Sequence, residues 1–282
     1  MSSDNERLLS GFVNYLKEEH KSTCTVISYA GDIRQWLNFL GEISALKTDE
    51  KEVKAFLQKL KAQKANEKTL SRKINALHTF YRSLIKEGKV TIDPATNIKP
   101  PKITNGTPRI LNKMEYRALR DTARGNLRLA AIVEILLQTG IRIAELAELK
   151  VEDLRQDCLI IKDSVKNTER TLQMPNSVWQ CVHNYLQTRG FISGNSPLFT
   201  TKTGRSLLIR NIRTIIDRSF KKAGIKGAKV NDLRTTWISY QLTNGVDPKL
   251  VASYAGHKRL SSTTKYFQED NKKSYKKKVV EL

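Results

Sequence analysis

A proline-marked break lies about a third of the way along the chain and divides what it can fold into. Asp93-Pro94 and Lys99-Pro100-Pro101-Lys102 cannot continue a helix, because proline lacks an amide donor and its ring clashes with the preceding turn. Thr104 to Pro108 is polar and contains Gly106. The break predicts a linker at about 99–109 between a first domain, 1–98, and a second, 110–266, with a basic tail at 267–282. A chain of 282 residues is long enough for two ordinary domains, and 39% apolar residues suffice to give each a core.

Before the break the apolar residues recur at helical spacing. Leu8, Leu9, Phe12, Val13 and Leu16 mark a first helix. Ser22 or Thr23 caps a second, which carries Val26, Ile33, Trp36, Leu37 and Leu40 and stops near Gly41. Thr48 is the expected cap of a third, with Val53, Phe56, Leu57 and Leu60. A fourth runs from about Lys68 to Glu87, and Gly88 ends it. After the break, Asn112 caps a helix through Arg120, a second spans about Arg128 to Gln138, Thr139-Gly140 interrupts, and a short helix covers Arg142 to Leu149. Cys158 to Ile161 and Thr171 to Met174 read as two short antiparallel strands joined by a polar turn, Asp163 to Arg170. Beyond Pro175 the pattern is helical to the end.

Charge gives the first functional constraint. Fifty Lys and Arg against 28 Asp and Glu leave a formal net charge of +22, which calls for a polyanionic partner, nucleic acid before all. An anionic membrane would want a basic amphipathic helix or a lipidation signal, and the sequence carries neither. No apolar run reaches the roughly 18 residues of a membrane span, and Met1 to Arg7 lacks a signal peptide's apolar stretch. A soluble, cytoplasmic protein is expected. Cys24, Cys158 and Cys181 form no CxxC pair, and His20, His78, His183 and His257 have no metal-ligand spacing. With no phosphate-binding glycine loop and no carboxylate cluster, no metal or nucleotide cofactor is expected.

Four separated clusters in the second half carry chemistry: Thr139-Gly-Ile-Arg142-Ile-Ala-Glu145-Leu, the basic turn with Lys166 and Arg170, Asn231-Asp-Leu-Arg234, and Ala255-Gly-His257 followed nine residues later by Tyr266. Two arginines with fixed forks can hold the non-bridging oxygens of a phosphodiester as it becomes pentacoordinate. They also favour the phenolate of a nearby tyrosine, whose free pKa is about 10. Tyr254 and Tyr275 are rival nucleophiles, one ahead of the Gly-His pair and one in a lysine-rich tail.

In order and spacing these clusters resemble the tyrosine recombinase, or phage integrase, family, whose pattern is TGxRxxEL, a lysine on a β-hairpin, HxxR, then GH(x)8Y. Arg142 and Arg234 match the two arginines, Glu145 the acidic residue, His257 the late histidine and Tyr266 the nucleophile. Thr25 to Leu40 and Leu70 to Gly88 resemble the family's core-binding domain, so the likeness covers nearly the whole chain. It implies a mainly α fold with a small antiparallel β-sheet, arranged as a two-domain C-shaped clamp of a SAM-like helical domain and a mixed catalytic domain.

The resemblance also implies DNA strand exchange through a 3′-phosphotyrosyl link and a Holliday junction. Its partners would be double-stranded DNA at core sites, a homotetramer on two synapsed sites and accessory DNA-binding proteins. Lys166 is the implied general acid for the leaving 5′ oxygen, by an alignment that needs a one-residue deletion, with Lys162 as the fallback. Asn231 departs from the pattern, standing where the family has histidine. An amide can donate to a phosphate oxygen but takes no proton at neutral pH. Val279, Val280 and Leu282 are the expected anchors of a segment that docks on a neighbouring subunit. The compact plan, with no arm-binding domain, is similar to Xer-type recombinases and transposon resolvases, and Asn231 tilts the expectation toward a mobile element. Rival readings are chromosome or plasmid dimer resolution, a silent DNA-binding regulator and a type IB topoisomerase.

Overall fold

The computed structural model describes residues 2–102, 108–163, 168–190, 192–266 and 275–282. They fall into two compact units, Met1–Asn105 and Gly106–Leu282.

The first unit is built from α1 (Ser3–Glu18), α2 (Thr23–Leu40), α3 (Glu50–Ala62) and α4 (Glu67–Lys86). Each begins at a side-chain cap: Ser2, Ser22, Asp49 and Asn66. The cap of α3 is therefore Asp49 and not Thr48. Asp49 forms a reciprocal box with Glu52 at the third helical position, which satisfies two amides and sets negative charge at the helix's positive end. The Thr48 hydroxyl points inward, 2.9 Å from the Ala45 carbonyl it donates to and 2.7 Å from the Tyr81 hydroxyl. Tyr81 also accepts from Trp36 Nε1 at 3.2 Å, and burial pushes its phenol up to about 12. Phe12, Trp36, Phe56 and Phe80 complete the centre of this core. Asp32 is buried on α2, and Lys73 and Arg72 of α4 neutralise it, which a buried carboxylate requires.

The second unit packs around α6 (Leu127–Thr139), whose residues from Ala131 onward are all buried. Against it lie α5 (Lys113–Ala123), α8 (Asn176–Gln187) and α10 (Val230–Thr243). Elsewhere in the unit are α7 (Ile143–Glu148), α9 (Ile209–Lys222), α11 (Pro248–Ala255) and α12 (Ser261–Thr264). Strands β1 (Cys158–Asp163) and β2 (Thr168–Gln173) pair antiparallel, with Ile161 opposite Arg170. The strands reach further toward the turn than the apolar run suggested, so Thr168, Glu169 and Arg170 are strand residues. Helix is also not continuous beyond Pro175. Residues 188–190 and 192–208 are irregular, with Gly190, Gly194, Pro197 and Gly204 among them, and are held by short bridges such as Lys150–Pro197.

Residues 275–282 run without helix along the second unit. Lys276 pairs with Val246, and Val280 exchanges two bonds with the Gln241 amide, at 2.8 and 2.6 Å. Leu282 does the same with Gln138, at 2.8 and 2.9 Å. Val279 and Val280 pack on the apolar cluster of α10 and α11, so this segment is seated on its own chain.

Gly140 ends α6 in the left-handed region at φ +60°, and a Cβ there would lie 2.3 Å from the buried Trp237 ring. Gly140→Ala is expected to lower stability by about 2–4 kcal/mol, from the left-handed backbone together with overpacking. Urea denaturation checks this, and a loss under about 0.5 kcal/mol, the range of an ordinary surface change, would mean that Trp237 gives way freely.

Candidate active site

Four of the predicted residues, Arg142, Glu145, Arg234 and His257, meet from three separate stretches of sequence where α6 and α11 end. Arg142 stands just before α7, with its amide 2.7 Å from Glu145 Oε2 and its Nη1 2.8 Å from Glu145 Oε1. Its Nη2 donates to the Gly256 carbonyl at 2.6 Å. Arg234, on the second turn of α10, is 7% exposed. It donates from Nη1 to the Gly140 carbonyl at 2.5 Å, and from Nη2 to the Ala255 carbonyl at 2.7 Å and His257 Nε2 at 2.8 Å. Gly140 and Gly256 are both left-handed helix ends, so the acceptors lie at the negative poles of α6 and α11. Arg170 enters from β2, with Nη2 2.9 Å from Glu145 Oε2 and Nε 3.0 Å from the Tyr254 carbonyl. Two guanidiniums, of Arg142 and Arg170, thus share the Glu145 carboxylate, and the third, of Arg234, is held by carbonyls at the same helix ends.

Residues 108–273 match the Phage integrase family, and residues 9–88 match its N-terminal SAM-like domain. The chain belongs to the phage integrase family of tyrosine recombinases. A tyrosine recombinase XerC of Staphylococcus haemolyticus is 31% identical over 278 residues, 94% of this chain and 93% of that one. The crystal structure of XerA recombinase superposes with a TM-score of 0.55 at 26% identity, over 95% of each chain. A lambda integrase dimer bound to a COC′ core site shares the fold, with a TM-score of 0.76 at 17% identity over 96% of this chain and 99% of that one. The chain is a site-specific recombinase of the tyrosine type.

The recombinase concentrates positive charge at this point. Burial lowers the pKa of Arg234 to about 10, helped by Arg142 and Arg170, while Glu145 and Tyr266 pull the other way. It stays charged at neutral pH. Burial would raise the Glu145 carboxyl, but bonds from Arg170 and the Arg142 amide outweigh it and hold the group below its usual value. His257 is pushed down to about 4 by burial and then by Arg234, Arg142, Lys265 and Arg170. Its Nε2 faces a guanidinium N–H, which can only donate, so Nε2 accepts and the ring proton sits on Nδ1. Nδ1 then donates to the buried Thr263 hydroxyl at 2.8 Å.

This shift has a sign in stability. The unfolded histidine binds its proton first as pH falls from about 6.5 to about 4, so the contribution of His257 is present above that window and lost through it. His257→Gln is expected to lose less stability than the parent between pH 7 and pH 5 (about half a unit above and one and a half below the imidazole's ordinary value), by urea denaturation. Equal losses would contradict the shift.

Tyr266 follows α12, nine residues after His257, half-buried against the cluster of α10 and α11. Lys265 Nζ lies 4.9 Å from its ring centroid, and its hydroxyl has no hydrogen bond among the described residues. The rival Tyr254 uses its hydroxyl to accept the Gln173 amide at 3.2 Å, and its ring stacks on Trp237. Tyr275 is 47% exposed in the segment that follows. Asn231 is exposed on the first turn of α10, one turn before Arg234, and makes no side-chain hydrogen bond among the described residues. Lys166 lies outside the described residues. The fallback, Lys162, is paired with Asp153 at 2.6 Å, which raises its pKa.

Sequence reasoning placed Arg170 in the basic turn without a role and gave Thr263 none. Arg170 alternates with the buried Leu172, so a charge on the inward face of a strand was the available signal. Thr263, wholly buried three residues before Tyr266, had none.

Proposed function

We propose that this recombinase cuts and rejoins duplex DNA at specific core sites, with the Tyr266 phenol attacking the scissile phosphate. The supporting observation is that Arg142, paired with Glu145, and Arg234, which has no carboxylate partner among the described residues, converge at main-chain acceptors within two residues of His257. The phenolic oxygen forms the bond to phosphorus as the bond to the 5′ oxygen breaks. That oxygen takes a proton from Lys166, and the phenol proton passes to water or to the phosphate. Arg142 and Arg234 hold the non-bridging oxygens, Glu145 positions Arg142, and Asn231 donates its amide to the phosphate. Once Arg234 turns from it to the phosphate, His257 donates from Nε2 in its other neutral tautomer, with Nδ1 accepting from the Thr263 hydroxyl in place of donating to it. Bond energy is kept in the 3′-phosphotyrosyl link until a 5′ hydroxyl attacks, so exchange needs no nucleotide. Two sites synapsed on a tetramer pass through a Holliday junction, and the lambda integrase tetramer of shared fold is bound to one.

Nicked duplexes from the DNA flanking the gene test this. The nick releases the cleaved end and traps any phosphotyrosine on a denaturing gel. A covalent adduct formed without metal or ATP supports the reading. Specific binding with no adduct at any site would return the chain to a regulator's role, and relaxation of supercoiled DNA irrespective of sequence to a topoisomerase's. The same mapping separates two biological roles. A core site beside the gene fits a mobile element, the reading Asn231 favours. One elsewhere in the chromosome or on a plasmid fits dimer resolution, which the Xer name of the relative favours.

A further inference from the structure

We infer that Arg170, on β2, is a positioning residue of this site, which ties the Glu145 carboxylate to the main chain at Tyr254 and thereby sets where Arg142 presents its guanidinium. The inference rests on the recombinase reading above.

Three elements meet at the Arg170 fork. Nη2 reaches Glu145 on α7 at 2.9 Å, and Nε reaches the Tyr254 carbonyl near the end of α11 at 3.0 Å. Glu145 in turn takes the Arg142 amide and Nη1, so its two oxygens are shared between two arginines. Without Arg170, one oxygen of a largely buried carboxylate would lose a charged donor, and its hold on Arg142 would slacken. Gly256 completes the arrangement. A Cβ there would come within 2.9 Å of Arg142 Nη1 and 3.0 Å of Arg170 Nη1, so the two forks pass the same bare Cα. The side chain of Arg142 is 43% exposed, and its hydrogen bonds among the described residues go to Glu145 and the Gly256 carbonyl. The side chain of Arg170 is 20% exposed, facing inward with Leu172. Lysine could keep the charge there but not two bonds at fixed angles.

The test uses the full chain as Arg170→Gln, Arg170→Lys, Glu145→Gln and the Arg170→Gln/Glu145→Gln double variant. On the duplex where the parent forms its adduct, single-turnover cleavage by Arg170→Gln should fall by about a hundredfold, as a displaced reacting group does, with DNA affinity unchanged. Arg170→Lys should recover little. Adding Glu145→Gln to Arg170→Gln should cost at most about twofold more, because the two act as a unit.

A pH readout separates this from simple damage. The charged groups bearing on Glu145 are Arg142 from the start of α7, Arg170 from β2 and Arg234 from α10. Removing Arg170 raises the Glu145 pKa, so the acid limb of the cleavage profile moves to higher pH. In DNA-free protein, the ¹³C carboxyl resonance of Glu145 should titrate at higher pH in Arg170→Gln than in the parent. An unmoved Glu145 titration, or cleavage at the parent rate across the pH range, overturns the proposal. Additive losses with weakened DNA binding would also overturn it, in favour of Arg170 touching the phosphate itself. A parent that forms no adduct while Glu145 still shifts would sink the recombination reading and leave the tie between Arg170 and Glu145 standing.

Discussion

Tyr266→Phe is expected to leave a folded protein that binds its core DNA and forms no detectable covalent adduct. Removing one hydroxyl from a half-buried ring leaves the apolar contact with α10 and α11 in place, so stability should change by less than about 1 kcal/mol, as for an ordinary tolerated substitution. The nearest rival in sequence is already engaged. The Tyr254 hydroxyl is spent on the Gln173 amide, and its ring is stacked on Trp237. Tyr266 makes no hydrogen bond through its hydroxyl among the described residues, and a phenolate there would favour the charge on Arg234. Nicked duplex, parent and variant, run side by side on a denaturing gel decide the matter. An adduct that persists in Tyr266→Phe would move the nucleophile to Tyr254 or Tyr275.

Arg234→Lys should lower the cleavage rate by about a thousandfold, the scale seen when a fixed donor to a developing oxyanion is removed. Lysine keeps the charge, so DNA affinity should fall far less than the rate. It cannot reproduce a fork that spans the Gly140 carbonyl, the Ala255 carbonyl and His257 together. Each buried carbonyl left without its donor costs about 1–3 kcal/mol, so the variant should also unfold at lower urea. Single-turnover cleavage at saturating protein, read beside a denaturation curve, separates the two effects. A rate within tenfold of the parent would mean that positive charge alone suffices (tenfold being about 1.4 kcal/mol of barrier) and would remove Arg234 from the role proposed.

The helices were legible because amphipathic spacing and capping residues report themselves locally. Ser22, Asn112 and Gly140 act where the sequence put them. The α3 cap was misread by one residue, because Thr48 and Asp49 are both good caps and only the Glu52 partner and the pull of Tyr81 on Thr48 decide between them. The meeting of Arg142, Glu145, Arg234 and His257 was legible only through the family pattern, since contacts across 114 residues leave no periodic trace. Thr263 and the two-way tie made by Arg170 were not legible at all, being matters of packing geometry. The contacts of the tail with its own chain were not legible either. Its backbone pairing with Gln138 and Gln241 on its own chain depends on two buried amides that read, in sequence, as ordinary polar residues.

The carbonyls that brace Arg142 and Arg234 belong to Gly140, Ala255 and Gly256, and mutation cannot delete a carbonyl. Substitution around the reaction centre changes side chains while the peptide acceptors stay where the helix ends put them. A lineage of such enzymes can therefore drift in the residues that read base sequence without dismantling the machinery that breaks the strand. Besides the side chains proposed to act in the reaction, the positions that shape those two turns, the glycines above all, are denied that latitude.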